Sequence, residues 1–290
     1  INSSPLSVSA LRGRVVLVDF WTFSCVNCVR TIPHLQALYG AYGSRGLVIV
    51  GVHSPEFDFE KVAANVVAAV RRLRVTWPVA LDSEMATWDA YGNRVWPAEY
   101  LIDQQGRVAY VNLGEGNYPQ TEAAVASLLD AKVTPLPTAA VSSSQITPEL
   151  YAGSARGQLA DGEAYGSMGQ PTTYPDRGTP HARDAIQVTG TWTDFGQYLQ
   201  ADGPGHVRLL FHASNVFLVA GSASGQPASV EVTIDGHSVS PALSGSALHA
   251  SQASVDRQDL YQLLIGVAPG YHLIDLTIPP GIQLYTFTFG

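Results

Sequence analysis

The sequence predicts a two-domain chain, an α/β domain with a central sheet followed by an all-β sandwich. Three observations carry this reading. Up to about residue 130, apolar runs of β-branched and aromatic residues alternate with stretches of helical spacing. Residues 133–147 are then rich in Pro, Ser and Thr and read as a linker. Beyond them helical periodicity stops, and short alternating runs appear between Gly, Pro, Asn and Asp. Eighteen of the 27 glycines fall after residue 137, as a turn-rich β domain requires. The expected boundaries are 1–132, 133–147 and 148–290.

Within the first domain, Val15–Trp21 is a continuous apolar run of the kind a strand buried on both faces shows. Val29, Ile32, Leu35 and Leu38 then have helical spacing, so a helix is expected from Val26 to about Tyr39. Leu47–Val52 reads as a second buried strand, and Phe59 to Leu73 as one long helix. Trp77–Ala80, a short helix near Met85–Tyr91, strands Glu99–Ile102 and Arg107–Asn112, and a helix Tyr118–Asp130 complete the domain. Asp103-Gln104-Gln105-Gly106 reads as the hairpin turn between those two strands. The second domain offers strands at Ile186–Val188, His206–Phe211, Val216–Ala220, Val230–Ile234, Asp259–Val267, Tyr271–Ile278 and Gln283–Phe289. A sandwich or jelly roll accommodates them.

Composition excludes several classes of function. The chain is 46% hydrophobic with a mean hydropathy of +0.08, as a globular protein is. Net charge is −8 and no extended Lys/Arg run occurs, which argues against nucleic acid as a partner. Charged residues are only 14%, which suits a secreted or surface protein. No apolar stretch is long enough to span a bilayer. The start Ile1-Asn2-Ser3-Ser4-Pro5 has neither a basic nor an apolar leader region, so the chain reads as a mature or excised segment.

Cys25 and Cys28 are the whole cysteine inventory. A zinc site needs four ligands, and His34 lies about 600° around a helix from Cys28, pointing away. No metal is therefore expected. Thr22-x-x-Cys25 echoes a peroxidase motif, but Val18 stands where that motif needs proline. Redox exchange fits better. Cys25 sits where a buried strand gives way to a helix, whose N-terminal amides and dipole favour thiolate. Cys28 lies one turn further in, placed to resolve a mixed disulfide on Cys25. Asp19 interrupts an apolar run. A carboxylate there either relays the Cys28 proton or is a hydrogen-bonded core acid.

These residues resemble the thioredoxin family. Val18-Asp19-Phe20-Trp21 followed by Cys25-Val26-Asn27-Cys28 is similar to its signature, Pro33 to its helix-kinking proline, and Trp96-Pro97 before Ala98–Asp103 to its cis-proline segment. Leu6–Arg14 and the extra helix after Gly51-Val52-His53-Ser54 resemble the TlpA-like extracytoplasmic branch. The two-domain layout resembles the extracytoplasmic C-terminal half of DipZ-type, DsbD-related proteins. The resemblance implies a thiol–disulfide oxidoreductase acting on protein disulfides. It needs no cofactor beyond a redox-active Cys25–Cys28 disulfide and is fed electrons by a CcdA-like membrane section outside this chain, to which it would be tethered. It also implies a cis bond at Pro97 against the thiols. The usual Gly-Pro dipeptide is Val26-Asn27 here and the usual Trp before the first cysteine is Ser24, so the direction of electron flow stays open.

Trp96 and Glu99 are candidate substrate contacts, and Glu99 either tunes the thiols or is a surface or core-edge acid. His53 either lines the site or stabilises a turn. In the sandwich, which in this resemblance is similar to a carbohydrate-binding module, Trp192, Asp194, Gln197 and Tyr198 form the one compact aromatic and polar cluster suited to a neutral glycan. Its alternative is the sandwich core. The rival to catalysis is a glycan- or partner-binding sandwich on a redox-inert scaffold.

Overall fold

The computed structural model describes residues 1–133, 135–136 and 146–290. The chain divides into two compact units, residues 1–141 and 142–290. Most of the expected linker, residues 134 and 137–145, lies outside the described residues. Its described flanks bond within the two units. Leu136 N–H donates to Glu122 and Tyr42 Oη to the Lys132 carbonyl, both within the first unit. Thr147 is buried, bonds the His212 backbone and donates to Asp184, so it belongs to the second.

The first unit runs β1 (Val15–Trp21), α1 (Val26–Tyr42), β2 (Leu47–His53), α2 (Ala63–Arg72), β3 (Val79–Leu81), α3 (Ala86–Ala90), β4 (Ala98–Ile102), β5 (Val108–Leu113) and α4 (Tyr118–Leu128). Its sheet has the order β3-β2-β1-β4-β5. β1, β2 and β3 are parallel, and β4 and β5 antiparallel, a thioredoxin-like arrangement. β1 is central and buried along its whole length, which is why its sequence reads as an unbroken apolar run. Asp103 N–H donates to the Arg107 carbonyl and Gly106, at φ +86°, closes the hairpin between β4 and β5.

The single long helix expected from Phe59 to Leu73 does not form. A short 3₁₀ turn, Asp58–Lys61, comes first, Val62 is extended, and α2 starts only at Ala63. The cause is Glu60, whose carboxylate turns back to accept the Glu56 and Phe57 amides at 2.7 and 3.0 Å. That capping geometry belongs to a helix start, not to the middle of a helix.

The second unit is all β among the described residues apart from a short 3₁₀ turn. Its strands are β6 (Leu150–Tyr151), β7 (Pro171–Tyr174), β8 (Gln187–Asp194), β9 (Leu199–Ala201), β10 (Gly205–Phe211), β11 (Val216–Ser222), β12 (Ala228–Ile234), β13 (His237–Ser238), β14 (Leu248–His249), β15 (Gln252–Val255), β16 (Asp259–Leu264), β17 (His272–Ile278) and β18 (Ile282–Phe289). One layer has the order β14-β15-β12-β17-β10-β8 and the other β9-β18-β11-β16, all antiparallel. β8 belongs to both. Residues 187–189 pair with β10, and Trp192–Asp194 pair with β9. The change of sheet happens at Gly190, where φ is +87° and a Cβ would lie 2.5 Å from the Pro204 carbonyl oxygen. Between the layers Trp192, Phe211, Leu218, Ile274 and Phe287 share one core.

The glycan cluster is corrected by this core. Trp192 is 1% exposed and donates its indole N–H to the Thr189 carbonyl at 2.7 Å. Asp194 is buried and accepts the Ser154 and Gly196 amides. Tyr198 is half-buried between Phe195 and Tyr285. Trp192 has no free ring face for a sugar, and the Asp194 carboxylate is committed to the backbone. Gln197, half-buried beside them, is left without the tryptophan platform that gave the cluster its sense.

Candidate active site

The site stands at the C-terminal end of β1, where the chain leaves the sheet and enters α1. Cys25 is extended, at φ −79° and ψ 113°, and caps α1 by accepting the Cys28 amide N–H on its sulfur at 3.4 Å. Its side chain is half-buried, whereas Cys28, one turn in, is 2% exposed. Both are free thiols. Burial pushes the Cys28 thiol well above the ordinary thiol value, and the Cys25 sulfur and Asp19 push the same way. Pro33 lies inside α1, where its ring removes one helical N–H.

Asp19 is buried on the β1 face beneath the thiols, and its carboxyl is held well above the usual range, by burial first and by Glu99 second. Glu99 faces it directly across the β1–β4 pair. Pro97 is buried, and the Trp96–Pro97 bond is cis. The register that pairs Phe20 with Ala98 sets Pro97 beside the end of β1. Trp96 is half-buried, lies against Trp88 at 4.2 Å between ring centres, and donates its indole N–H to the Ser54 carbonyl. A groove of about 630 Å³ lies elsewhere, lined by Val16, Val18, Val50 and Val52. Val16 and Val18 alternate with Asp19 along β1 and so point to the opposite face of the sheet.

Two parts of the site escaped sequence reasoning. The first is Glu60, which accepts the Thr22 hydroxyl and, from Ser24, the hydroxyl at 2.6 Å and the amide at 3.2 Å. His53 joins through Thr22, at 3.3 Å, and is packed by Trp21 and Phe23. Burial drives its imidazole down to about 4, so it is neutral at pH 7. The second is a clamp at the helix start. Arg30 grips Glu115 with Nε and Nη2 and donates from Nη2 to Asn27, inside the Cys-x-x-Cys dipeptide. The sequence signal for Glu60 was its spacing of three from Phe57 at a helix entry. For Glu115 there was none, because it is 85 residues from Arg30.

The likeness to known proteins follows the same division. Residues 2–129 match the family model described as Redoxin, and residues 147–290 the one described as Thioredoxin like C-terminal domain. Each half of the chain is thus similar to its own family model, and the first unit has a thioredoxin-like fold. It is 34% identical to Protein DipZ of Mycobacterium bovis over 299 residues, which takes in all of this chain and 41% of that protein. It therefore spans about two fifths of the length of that relative. Thiol-disulfide oxidoreductase ResA of Halalkalibacterium halodurans is 30% identical over 114 residues, 39% of this chain and 62% of that one. Among solved structures, a thiol:disulfide interchange protein DsbE from Chlorobium tepidum is similar at 23% identity and a TM-score of 0.40, covering 43% of this chain and 86% of its own. Among the described residues no helix is long and apolar enough to cross a membrane.

Proposed function

We propose that the chain is a thiol–disulfide oxidoreductase that passes two electrons from the Cys25/Cys28 dithiol to a protein disulfide. The observation that carries this is the position of Cys25 as N-cap of α1, with the buried Cys28 one turn behind it. Cys25 sulfur attacks one sulfur of the substrate, breaking its S–S bond and forming a mixed disulfide. Cys28 gives its proton to Asp19 and attacks Cys25, which closes the Cys25–Cys28 bond and releases the second substrate thiolate. Neutral His53 and the saturated Glu60 carboxylate hold the segment before Cys25 and take no part in the exchange. Pro97 and Trp96 flank the approach to the thiols, where an extended substrate would lie.

Its place is extracytoplasmic, tethered to the membrane, with electrons supplied by a CcdA-like membrane section. The likeness to DipZ and the low share of charged residues, 14%, support this placement. The second unit adds no thiol, since both cysteines lie in the first.

Reduction of a protein disulfide with a small dithiol as donor tests the reading. Wild type turns over, Cys25→Ser is inactive, and Cys28→Ser accumulates the mixed disulfide. Turnover by Cys25→Ser equal to wild type would overturn it. Equilibration with glutathione sets the direction: a potential near about −270 mV places the pair with reductants and one near about −120 mV with oxidants.

A further inference from the structure

Two acids meet beneath the thiols. Asp19 of β1 and Glu99 of β4 are directly opposite in the antiparallel register. Opposed side chains on one sheet face lie about 5 Å apart at Cβ, and like charges so placed repel. Both are almost fully buried, at 3% and 1% exposed. Asp19 Oδ1 and Glu99 Oε1 each lack a hydrogen-bond partner among the described residues, so each acid has an oxygen uncommitted to the surrounding protein. Two ionised carboxylates cannot share such a place at neutral pH, and one proton between them removes the conflict.

The surroundings leave that proton little else to respond to. From α1 the Cys28 thiol lies close enough to Asp19 to feel its charge. From α4 Thr121 donates to Glu99 Oε2 at 3.0 Å, and the Tyr118 phenol feels the Glu99 charge. From β5 Asn112 lies opposite Glu99 in the β4–β5 register and favours its ionised form, while burial holds the Glu99 carboxyl up at about 7. From β2 Gly51 pairs with Asp19 and brings no side chain.

We infer that Asp19 and Glu99 hold one proton between them, and that Glu99 is the positioning residue that keeps Asp19 available to take the Cys28 proton. This rests on the proposed oxidoreductase reading for its use, not for its existence. The proton can sit on either acid of the pair, and in the form that has it on Glu99 the Asp19 carboxylate is an acceptor. When the mixed disulfide on Cys25 is resolved, the Cys28 S–H bond breaks and its proton goes to Asp19. The Cys28 sulfur then bonds to Cys25, and the electron pair of the Cys25–substrate bond leaves with the substrate thiolate. The pair now holds two protons and returns one to that thiolate or to solvent.

The test is a pH titration of the two carboxyls in the intact chain, read by infrared or carbon NMR on labelled Asp and Glu. A pH profile of protein-disulfide reduction accompanies it. Wild type should show two coupled carboxyl steps. Glu99→Gln should leave Asp19 a single step, about one pH unit or more below the upper of the two wild-type steps, and move the turnover profile the same way. Glu99→Asp should restore the coupling. If Glu99→Gln does not fold, Asp19→Asn supplies the second reading: the remaining Glu99 must titrate in a single step below the upper of the two wild-type steps. Asp19 and Glu99 titrating independently in wild type, or an unmoved Asp19 step in Glu99→Gln, overturns the inference. A wild type with coupled steps but no turnover overturns the oxidoreductase reading alone.

Discussion

Glu60 holds Ser24 by both of its donors, the hydroxyl at 2.6 Å and the backbone N–H at 3.2 Å, through a single carboxylate oxygen. The residue immediately before Cys25 is thereby fixed to a segment 36 positions further along the chain. Its second oxygen takes the Glu56 and Phe57 amides, so one buried side chain ties the cysteine loop to the turn before α2.

Glu60→Ala orphans those donors, and each buried donor left alone costs about 1–3 kcal/mol. The expected loss for the first unit is about 3 kcal/mol or more, followed by tryptophan fluorescence in urea. Glu60→Gln keeps the oxygen that faces Thr22 and Ser24 but turns an amide NH₂ toward two N–H groups, so it should lose less. Equal stability of Glu60→Ala and wild type would show that the network contributes nothing.

Much of this architecture is legible in the residues. The run Val15–Trp21 coincides with β1, because a central strand covered on both faces needs apolar residues throughout, and the acid that breaks the run marks the site. Glu99 carries the same signal, an acid inside an apolar strand, but only the antiparallel register shows that it meets Asp19. Glu60 falls within the helix expected from Phe59 to Leu73, and that helical spacing cannot reveal a carboxylate recruited by a loop elsewhere. In the sandwich the long strands are visible from alternation, while short ones such as Leu199–Ala201 carry too few residues to show a period. Trp192 looks alike as platform or core until its neighbours are known.

Glu99 and His53 should bend the stability–pH curve in opposite directions. The Glu99 carboxyl is raised from 4.5 to about 7, so the native state binds its proton more tightly than the unfolded chain. Its stabilisation is complete below 4.5 and is lost as pH rises through 7. The size is on the order of 3 kcal/mol at most. His53 is lowered from 6.5 to about 4, so its contribution is present above 6.5 and is lost as pH falls through 4. Wild-type stability hides both, because the windows overlap. Glu99→Gln separates them: it should be more stable than wild type at pH 8 and nearly equal at pH 5. A stability difference that does not change with pH would contradict the shift.

Gly51 sits opposite Asp19 in the register of β1 and β2. A Cβ there would lie 2.9 Å from Trp21 Nε1 and 3.2 Å from Trp77 Nε1, two rigid and fully buried rings. Overpacking of this kind costs about 1–3 kcal/mol. Gly51→Ala should therefore destabilise the first unit by that amount and shift the tryptophan emission. The same change at Gly92, where nothing lies within 4 Å, should leave the emission where it is and act only through its φ of +63°.

Trp192 separates the two roles open to the second unit. Its ring fills the sandwich core and its N–H satisfies the Thr189 carbonyl, so Trp192→Ala leaves both a cavity and an orphaned acceptor. Large-to-small changes at such a ring cost about 3–5 kcal/mol. The loss should appear in the unfolding of residues 142–290, with the transition of the first unit and its rate of disulfide reduction unchanged. The two units should then melt separately in calorimetry, the second at a lower temperature than in wild type. Cys25, Cys28, Asp19 and Glu99 all belong to the first unit, so nothing in the exchange requires the sandwich to be intact. A fall in turnover that tracks the melting of the sandwich would mean that the second unit takes part in catalysis, by holding either the substrate or the first unit in its active form.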